Sequence, residues 1–147
     1  MAGKSQGTRA RAKARRLALQ GLYQWQLSGA AANDVVAEHN ASQNNKDVDA
    51  EYFELLLRGV IADNEALQAL FLPNLDRPAE QLDPIERGIL LIGTFELKER
   101  IDVPYRVVLN EAMELAKGFG AEDSHKYINA VLDKTSAGLR QAERAAR

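Results

Sequence analysis

The chain has 147 residues, of which 46% are hydrophobic and 6% aromatic, and its formal net charge is −2. This length and apolar content fit one domain that buries a core. Because the sequence contains no cysteine, disulfides and thiolate metal sites are excluded, and we expect a cytoplasmic location. No apolar run has the length of a membrane span or the form of a secretion signal, so no membrane association is expected.

The charge is distributed unevenly along the chain. The first sixteen residues contain six Lys and Arg and no acid, which leaves 13 basic against 21 acidic residues in the remainder. Clustered Lys and Arg attract nucleic acid because they release the counterions condensed on its phosphates. The basic start therefore favours nucleic acid as a partner, whereas the alternative interpretation is a solvated, charged helix face.

Residues 9–26 form the predicted helix around which the chain is organised. Apolar residues recur at i, i+4, i+7 and i+8, as in an amphipathic helix. The opposite side carries a polar row that consists of Arg9, Lys13, Arg16, Gln20 and Gln24, with Tyr23 at its margin and with Arg11 and Arg15 flanking the apolar side.

Helical spacing continues through the rest of the chain. A short helix is predicted around residues 33–39, a long buried one over 52–71, and others after Asp83, after Pro104 and after Ser124. Asp83, Pro84 and Glu86 have the order of a capping box with proline at the first helical position, and Asp102 to Pro104 suggest the same device. No strand-like alternation competes, so the sequence predicts an all-α fold.

Further details are expected of the later helices and of the chain ends. Val107 and Phe119 are placed on the buried side of their helix, and Gly120 is expected to be its left-handed C-terminal cap. We expect residues 1–8 to be a disordered tail, residues 9–139 a single helical domain, and residues 140–147 to fray.

Little in the sequence indicates catalysis. The two histidines, His39 and His125, are too few for a histidine metal site and lie in different helices. Ser124 and His125 are neighbours on a helix and point about 100° apart, so they do not pair as nucleophile and base. Phosphate-binding glycine motifs are absent. We therefore expect no enzyme, no metal and no cofactor.

The start of the last helix is a second candidate for binding. Helix N-termini favour anions, and Lys126 and Tyr127, just after Asp123, could contact a phosphate and a base. The alternative interpretation is an ordinary capped helix start with exposed polar residues.

The segments ALQGLYQWQLS (residues 18–28) and VPYRVVLNEAMELAKGFGAEDSHKYINAVLDK (residues 103–134) resemble the NusB family of bacterial transcription antitermination factors. The likeness runs from Arg9 to about Thr135 and includes DVDAEYFELLLRGV and LDPIERGIL. It implies an all-helical, single-domain bundle of about seven helices that binds RNA without catalysis.

The resemblance also implies partners. NusB proteins pair with NusE, a ribosomal protein of the small subunit, and the pair binds the boxA element of ribosomal RNA transcripts. The complex joins NusA, NusG and RNA polymerase, which then reads through terminators. Whether the chain is a monomer or a homodimer is left open.

Site residues follow from the resemblance by position. The arginine-rich helix start matches Arg11, Lys13, Arg15 and Arg16, and the basic run here extends back to Arg9. The RNA-contacting acid and aromatic residue match Asp123 and Tyr127, with Lys126 between them, and the NusE contacts match Tyr23 and Glu86, both expected to be partly exposed. Tyr127 replaces a phenylalanine common in the family. For Glu86 the capping role is the competing interpretation.

We expect the basic row and residues 123–127 to form one surface for single-stranded RNA. One alternative is a helical protein–protein interaction module in which the N-terminal charges stay solvated. Another is the helical domain attached to ribosomal RNA cytosine methyltransferases, which is disfavoured because no catalytic domain follows in this sequence.

Overall fold

The computed structural model describes residues 6–40 and 47–146, and within those ranges the regular structure is entirely helical. This confirms the all-α prediction. None of the described helices is long and apolar enough to cross a membrane. The eight described α-helices are α1 (Gln6–Ser28), α2 (Ala32–Asn40), α3 (Ala50–Ala62), α4 (Asn64–Phe71), α5 (Pro84–Glu99), α6 (Tyr105–Phe119), α7 (Ser124–Leu139) and α8 (Gln141–Ala145). Two 3-10 turns, Leu72–Asn74 and Ala79–Gln81, lie between α4 and α5.

The chain divides into two compact units, Met1–Ala62 and Asp63–Arg147. The boundary falls inside the long helix predicted over 52–71, which is two helices because Asp63 leaves the helical conformation with φ −115° and ψ 18°. Neither glycine nor proline marks this break, and the pattern of apolar residues continues across it. The sequence therefore predicts one helix where the structure has two. That residues 9–139 act as one domain stays a prediction.

In the first unit, α3 packs against α1 and α2 through an almost fully apolar side. The close approach requires Gly21, because a Cβ atom there would lie 3.1 Å from a methyl group of Leu57 and 3.2 Å from one of Val35. The core of this unit contains Ala14, Ala18, Leu19, Leu22, Val35, Val36, Phe53, Leu56, Leu57 and Val60.

In the second unit, α5 is the central helix. Every residue from Gly88 to Leu97 is buried, and α4, α6 and α7 pack around it. A Cβ atom at Gly93 would lie 2.7 Å from a methyl group of Leu132, so the glycine lets α5 and α7 approach closely. The all-round apolar pattern of residues 85–97 thus corresponds to a helix surrounded by others.

The predicted capping box at the start of α5 is confirmed. Asp83 accepts a hydrogen bond from the main-chain N–H of Glu86 at 2.7 Å, and Glu86 accepts one from that of Asp83 at 3.3 Å. The equivalent prediction for α6 is wrong, because Pro104 is the N-cap residue there and the carboxylate of Asp102 pairs with Arg100 instead.

Three smaller predictions about α6 and the turn after it are also wrong. Val107 and Phe119 are 37% and 38% exposed, because Val107 lies off the buried side of α6 and Phe119 is the last residue of that helix. Gly120 is extended, with φ −87° and ψ 171°. The left-handed residue of this turn is Asp123, with φ 68°, a conformation that aspartate tolerates better than most residues.

The chain ends differ from the expectation of a tail and a frayed terminus. Helix α1 begins at Gln6, so residues 6–8 are helical. The remainder of the predicted tail, residues 1–5, lies outside the described residues.

The segment after α7 is held by Arg140, which is 3% exposed. Its guanidinium donates to the main-chain carbonyl oxygens of Leu97 at 2.8 Å, Glu96 at 3.1 Å and Arg100 at 2.9 Å. The carboxylate of Glu143 accepts from Arg140 and from the main-chain N–H of Tyr105. Residues 140–146 are therefore ordered by partners in α5 and α6, and Arg147 lies outside the described residues.

Candidate nucleic-acid interface

The N-terminal half of α1 presents cations to solvent in the first unit. Arg9 and Arg16 are exposed, and Lys13 is half-buried with its ammonium nitrogen 4.0 Å from the Asp47 carboxylate. A surface cavity of about 240 Å³ is lined by Arg9, Ala10, Lys13 and Asp47. We call Arg9, Lys13 and Arg16 the exposed basic row, which has the charge and accessibility that phosphate binding needs.

Arg11 and Arg15 have different surroundings from this row. The guanidinium carbons of Arg11 and Arg15 lie 4.3 Å and 5.5 Å from the ring centroid of Tyr52, within the range of cation–π attraction. Arg15 is 3% exposed, and the Nε atom of Arg11 lies 3.8 Å from the carboxylate of Asp49. Arg15 is thus part of the packing between α1 and α3, although the resemblance assigns it to RNA.

At the start of α7, in the second unit, Asp123 and Lys126 are both exposed. The carboxylate of Asp123 lies 3.5 Å from the ammonium group of Lys126, and it makes no side-chain capping bond to α7. Exposed ion pairs of this kind contribute little free energy. A phosphate or a base can therefore compete for either side chain at small cost.

Tyr127 is less accessible than the sequence predicts. It is 9% exposed, and the guanidinium carbon of Arg77 lies 3.7 Å from the centroid of its ring. Its hydroxyl has no hydrogen-bond partner among the described residues, and burial raises the pKa of Tyr127 above its usual value. The ring is therefore covered on one face, which corrects the expectation of an open stacking surface.

The two residues assigned to NusE by resemblance differ in accessibility. Tyr23 is 42% exposed on α1, as expected. Glu86 is 7% exposed, so the expectation that it is partly exposed is wrong: its carboxylate completes the capping box with Asp83 and accepts a hydrogen bond from the hydroxyl of Ser124 at 3.1 Å. The competing capping interpretation is thereby confirmed.

Sequence reasoning missed two residues at these surfaces. Leu27 is 61% exposed on α1, and its position four residues after Tyr23 could have indicated that both share a helix face. Arg77 lies between the helix predicted over 52–71 and the one predicted after Asp83, and no local pattern connects it with Tyr127, which follows fifty positions later in the sequence. Among the described residues, no group of three or more histidine or acidic side chains could hold a metal ion.

Comparison with known proteins places the chain in a family. Residues 12–137 match the model of the NusB family. The chain belongs to the NusB family. This confirms the resemblance, and it identifies the chain with a family of transcription antitermination factors and not of enzymes.

Relatives with this family name match nearly the whole chain. The transcription antitermination protein NusB of Alcanivorax borkumensis is 56% identical over 138 residues, which cover 94% of this chain and 92% of that protein. The protein of the same name from Paraburkholderia xenovorans is 54% identical over 134 residues, which cover 91% and 93%.

Solved structures of NusB proteins have the same fold. T. maritima NusB superposes with a TM-score of 0.75 at 24% identity and covers 86% of this chain and 89% of its own. A second structure, of the antitermination factors NusB and NusE in complex with double-stranded RNA, matches with a TM-score of 0.74 at 25% identity and covers 88% of this chain and 98% of its own.

Proposed function

We propose that this NusB-family antitermination factor binds the boxA element of ribosomal RNA transcripts together with NusE, and that the pair acts with NusA, NusG and RNA polymerase to suppress termination. The observation that carries the proposal is the solved complex of a related NusB with NusE and RNA. The exposed basic row supports it, because Arg9, Lys13 and Arg16 supply accessible cations on one helix.

RNA contacts are assigned to two sets of residues. The first is the exposed basic row, which gives affinity and salt dependence through phosphate contacts. The second is the start of α7, where Lys126 contacts phosphate and Asp123 accepts a hydrogen bond from a base. The first set belongs to the first unit and the second set to the second unit. Whether both sets form one surface stays a prediction.

The RNA recognised by this chain is proposed to be single-stranded. Unpaired bases expose the edges and faces that an acid and planar side chains read, whereas the deep, narrow major groove of double-stranded RNA hides them. The related complex contains double-stranded RNA, so the two forms must be compared directly. The comparison uses single-stranded boxA RNA, the same strand annealed to its complement, and a scrambled strand.

The deciding experiment is a salt titration of RNA binding with and without NusE. Replacing Lys13 and Arg16 together by glutamate should weaken binding of single-stranded boxA RNA and should lower the salt slope by roughly 0.7 for each lost phosphate contact. Arg15 is left unchanged because it is buried. Lys117→Glu, an exposed charge reversal on α6, is the matched control.

Each outcome separates the proposal from its main alternative. Unchanged affinity and unchanged salt slope in the double variant, with Lys117→Glu also unchanged, would contradict RNA binding by the exposed basic row. Retained NusE binding without salt-dependent RNA binding would instead favour a protein–protein interaction module. The ion pair of Lys13 with Asp47 and the contact of Arg11 with Asp49 are the observations that favour this alternative.

A further inference from the structure

Arg77 covers the ring of Tyr127. Arg77 lies between the two 3-10 turns that precede α5, and its guanidinium carbon is 3.7 Å from the ring centroid. At this distance a guanidinium is held against an aromatic face by cation–π attraction. The Nε atom of Arg77 also lies 3.4 Å from the carboxylate of the neighbouring Asp76. The loop side chain is therefore held mainly by the ring, because an exposed ion pair contributes little free energy.

The accessible member of this pair is Arg77. Tyr127 is 9% exposed, whereas the side chain of Arg77 is 38% exposed. A nucleobase that stacked directly on the covered face of Tyr127 would have to displace the guanidinium and forfeit its attraction to the ring. A base that stacked on the outer side of the guanidinium would need no such rearrangement.

We propose that Arg77 is the residue that stacks on an RNA base, and that Tyr127 acts as a positioning residue beneath it. The inference rests on the proposed RNA-binding function and assigns one contact within it. Guanidinium planes stack on unpaired bases much as aromatic rings do. The resulting order of layers is base, Arg77 and Tyr127.

The geometry favours affinity because the arginine is already ordered. Immobilising a long side chain on binding costs free energy, and the ring of Tyr127 already restricts the side chain of Arg77 before RNA binds. Lys126, which precedes Tyr127 on α7 and is exposed, supplies a charge for a nearby phosphate. The carboxylate of Asp76 limits the net positive charge at Arg77, so the contact depends on stacking more than on charge.

The first test compares substitutions of Arg77 in the full-length chain with NusE and labelled single-stranded boxA RNA. Arg77→Ala should weaken binding about tenfold, the scale of one stacked base. Arg77→Lys should weaken it nearly as much, because an ammonium group keeps the charge but has no plane. The salt slope of Arg77→Lys should equal that of the unchanged chain. Arg106→Ala, an exposed arginine 5.7 Å from the ring of Tyr105, should bind normally.

A second test identifies the stacked base. Single abasic positions are introduced along the boxA strand, and each RNA is measured with the unchanged chain and with Arg77→Ala. One abasic position should weaken binding to the unchanged chain but cause no further loss in Arg77→Ala, because both changes remove the same contact. Tyr127→Leu should give a similar loss, and Tyr127→Phe should not.

The outcomes distinguish failure of this inference from failure of the proposed function. Tighter binding by Arg77→Ala would mean that Arg77 shields Tyr127 from the base. Normal binding by Arg77→Lys would mean a phosphate contact, and normal binding by Arg77→Ala would mean no contact. Each of these overturns the inference alone, provided that the variant with glutamate at Lys13 and Arg16 still loses affinity. If that double variant keeps its full affinity and salt slope, RNA binding by the exposed basic row, and with it the proposed function, is contradicted.

Discussion

The hydroxyl of Ser124 donates a hydrogen bond to the carboxylate of Glu86, with 3.1 Å between the two oxygen atoms. The same carboxylate caps the main-chain N–H of Asp83, so that Glu86 joins the starts of α5 and α7. Asp123, which is assigned to RNA, directly precedes Ser124, and the resemblance assigns Glu86 to NusE. A polar contact therefore joins Glu86, which the resemblance assigns to NusE, to the immediate neighbour of Asp123.

Substitutions at Glu86 should separate its structural role from a role in binding NusE. Glu86→Ala should lower the free energy of unfolding by about 2 kcal/mol, because the capping box and the bond from Ser124 are lost. Glu86→Gln keeps a hydrogen-bond acceptor and should stay near the stability of the unchanged chain. Urea denaturation measures both. If the amide variant is stable but binds NusE more weakly, the charge contributes to that contact, whereas full stability of Glu86→Ala would contradict the structural role.

The same charge reversal should destabilise the chain strongly at Arg15 and hardly at all at its neighbour Arg16. Arg15→Glu should lower the free energy of unfolding by about 3 kcal/mol, because a carboxylate would be buried beside the Tyr52 ring in place of a cation. Arg16 lies on the exposed side of α1, so Arg16→Glu should change the free energy of unfolding by less than about 0.5 kcal/mol. Equal destabilisation in urea denaturation would contradict the burial of Arg15.

Tyr127→Phe should stabilise the chain, and more so at alkaline pH. Removing a buried hydroxyl without a partner is expected to raise the free energy of unfolding by about 1 kcal/mol at pH 7. Burial raises the pKa of Tyr127 above its usual 10.0. The folded chain thus holds this proton more tightly than the unfolded one. The resulting contribution to the free energy of unfolding is complete below pH 10 and is lost as the pH rises further.

The check on Tyr127 is a set of thermal melts at pH 7 and between pH 10 and 11. The other three tyrosines are common to both proteins, so the difference between the two melting temperatures isolates this hydroxyl. The difference should widen above pH 10. A constant difference across the series would show that the phenol titrates normally.

Arg140 should contribute strongly to the stability of the second unit. Arg140→Ala removes the guanidinium donor from three carbonyl oxygens near the end of α5, of which those of Glu96 and Arg100 also accept from a main-chain N–H, and the buried site loses its cation, so the free energy of unfolding should fall by about 3 kcal/mol. Arg140→Lys should recover only part of this, because one ammonium group cannot reproduce the planar fork. Gln141→Ala, an exposed change at the next position, is the control. Stability unaffected by Arg140→Ala would mean that these hydrogen bonds contribute nothing.

Tyr23→Asp should weaken NusE binding about tenfold or more, because exposed aromatic residues dominate many protein interfaces. Helix content measured by circular dichroism should be unchanged, since Tyr23 is 42% exposed. Leu55→Asp, at a 39% exposed position on α3, is the matched control and should bind NusE normally. Equal losses in both variants would contradict a specific contact of Tyr23.

Features formed by neighbouring residues could be predicted from the sequence. The capping box of Asp83 and Glu86 spans four positions, and its hydrogen bonds depend on little else. The all-α class likewise follows from periodicity within each segment. The break at Asp63 was missed because no proline or glycine signals it and the apolar pattern continues across it.

Features formed by remote residues could not be predicted. The burial of Arg15 depends on Tyr52, the cover of Tyr127 depends on Arg77, and the order of the last residues depends on carbonyl groups at the end of α5. In each case the local sequence predicts a solvated charged side chain, because its partner lies far away in the sequence. Tertiary packing decides which members of a basic cluster remain accessible.

The caps that Arg140 provides also constrain how the chain can fold while it is being made. Arg140 follows Arg100, the last residue that it caps, by forty positions, and synthesis proceeds from the N-terminus. While a ribosome is still translating α6 and α7, the end of α5 therefore lacks the guanidinium donors of Arg140. The second unit therefore reaches its final stability only after Arg140 has been synthesised, whereas the three described helices of the first unit are complete long before that point.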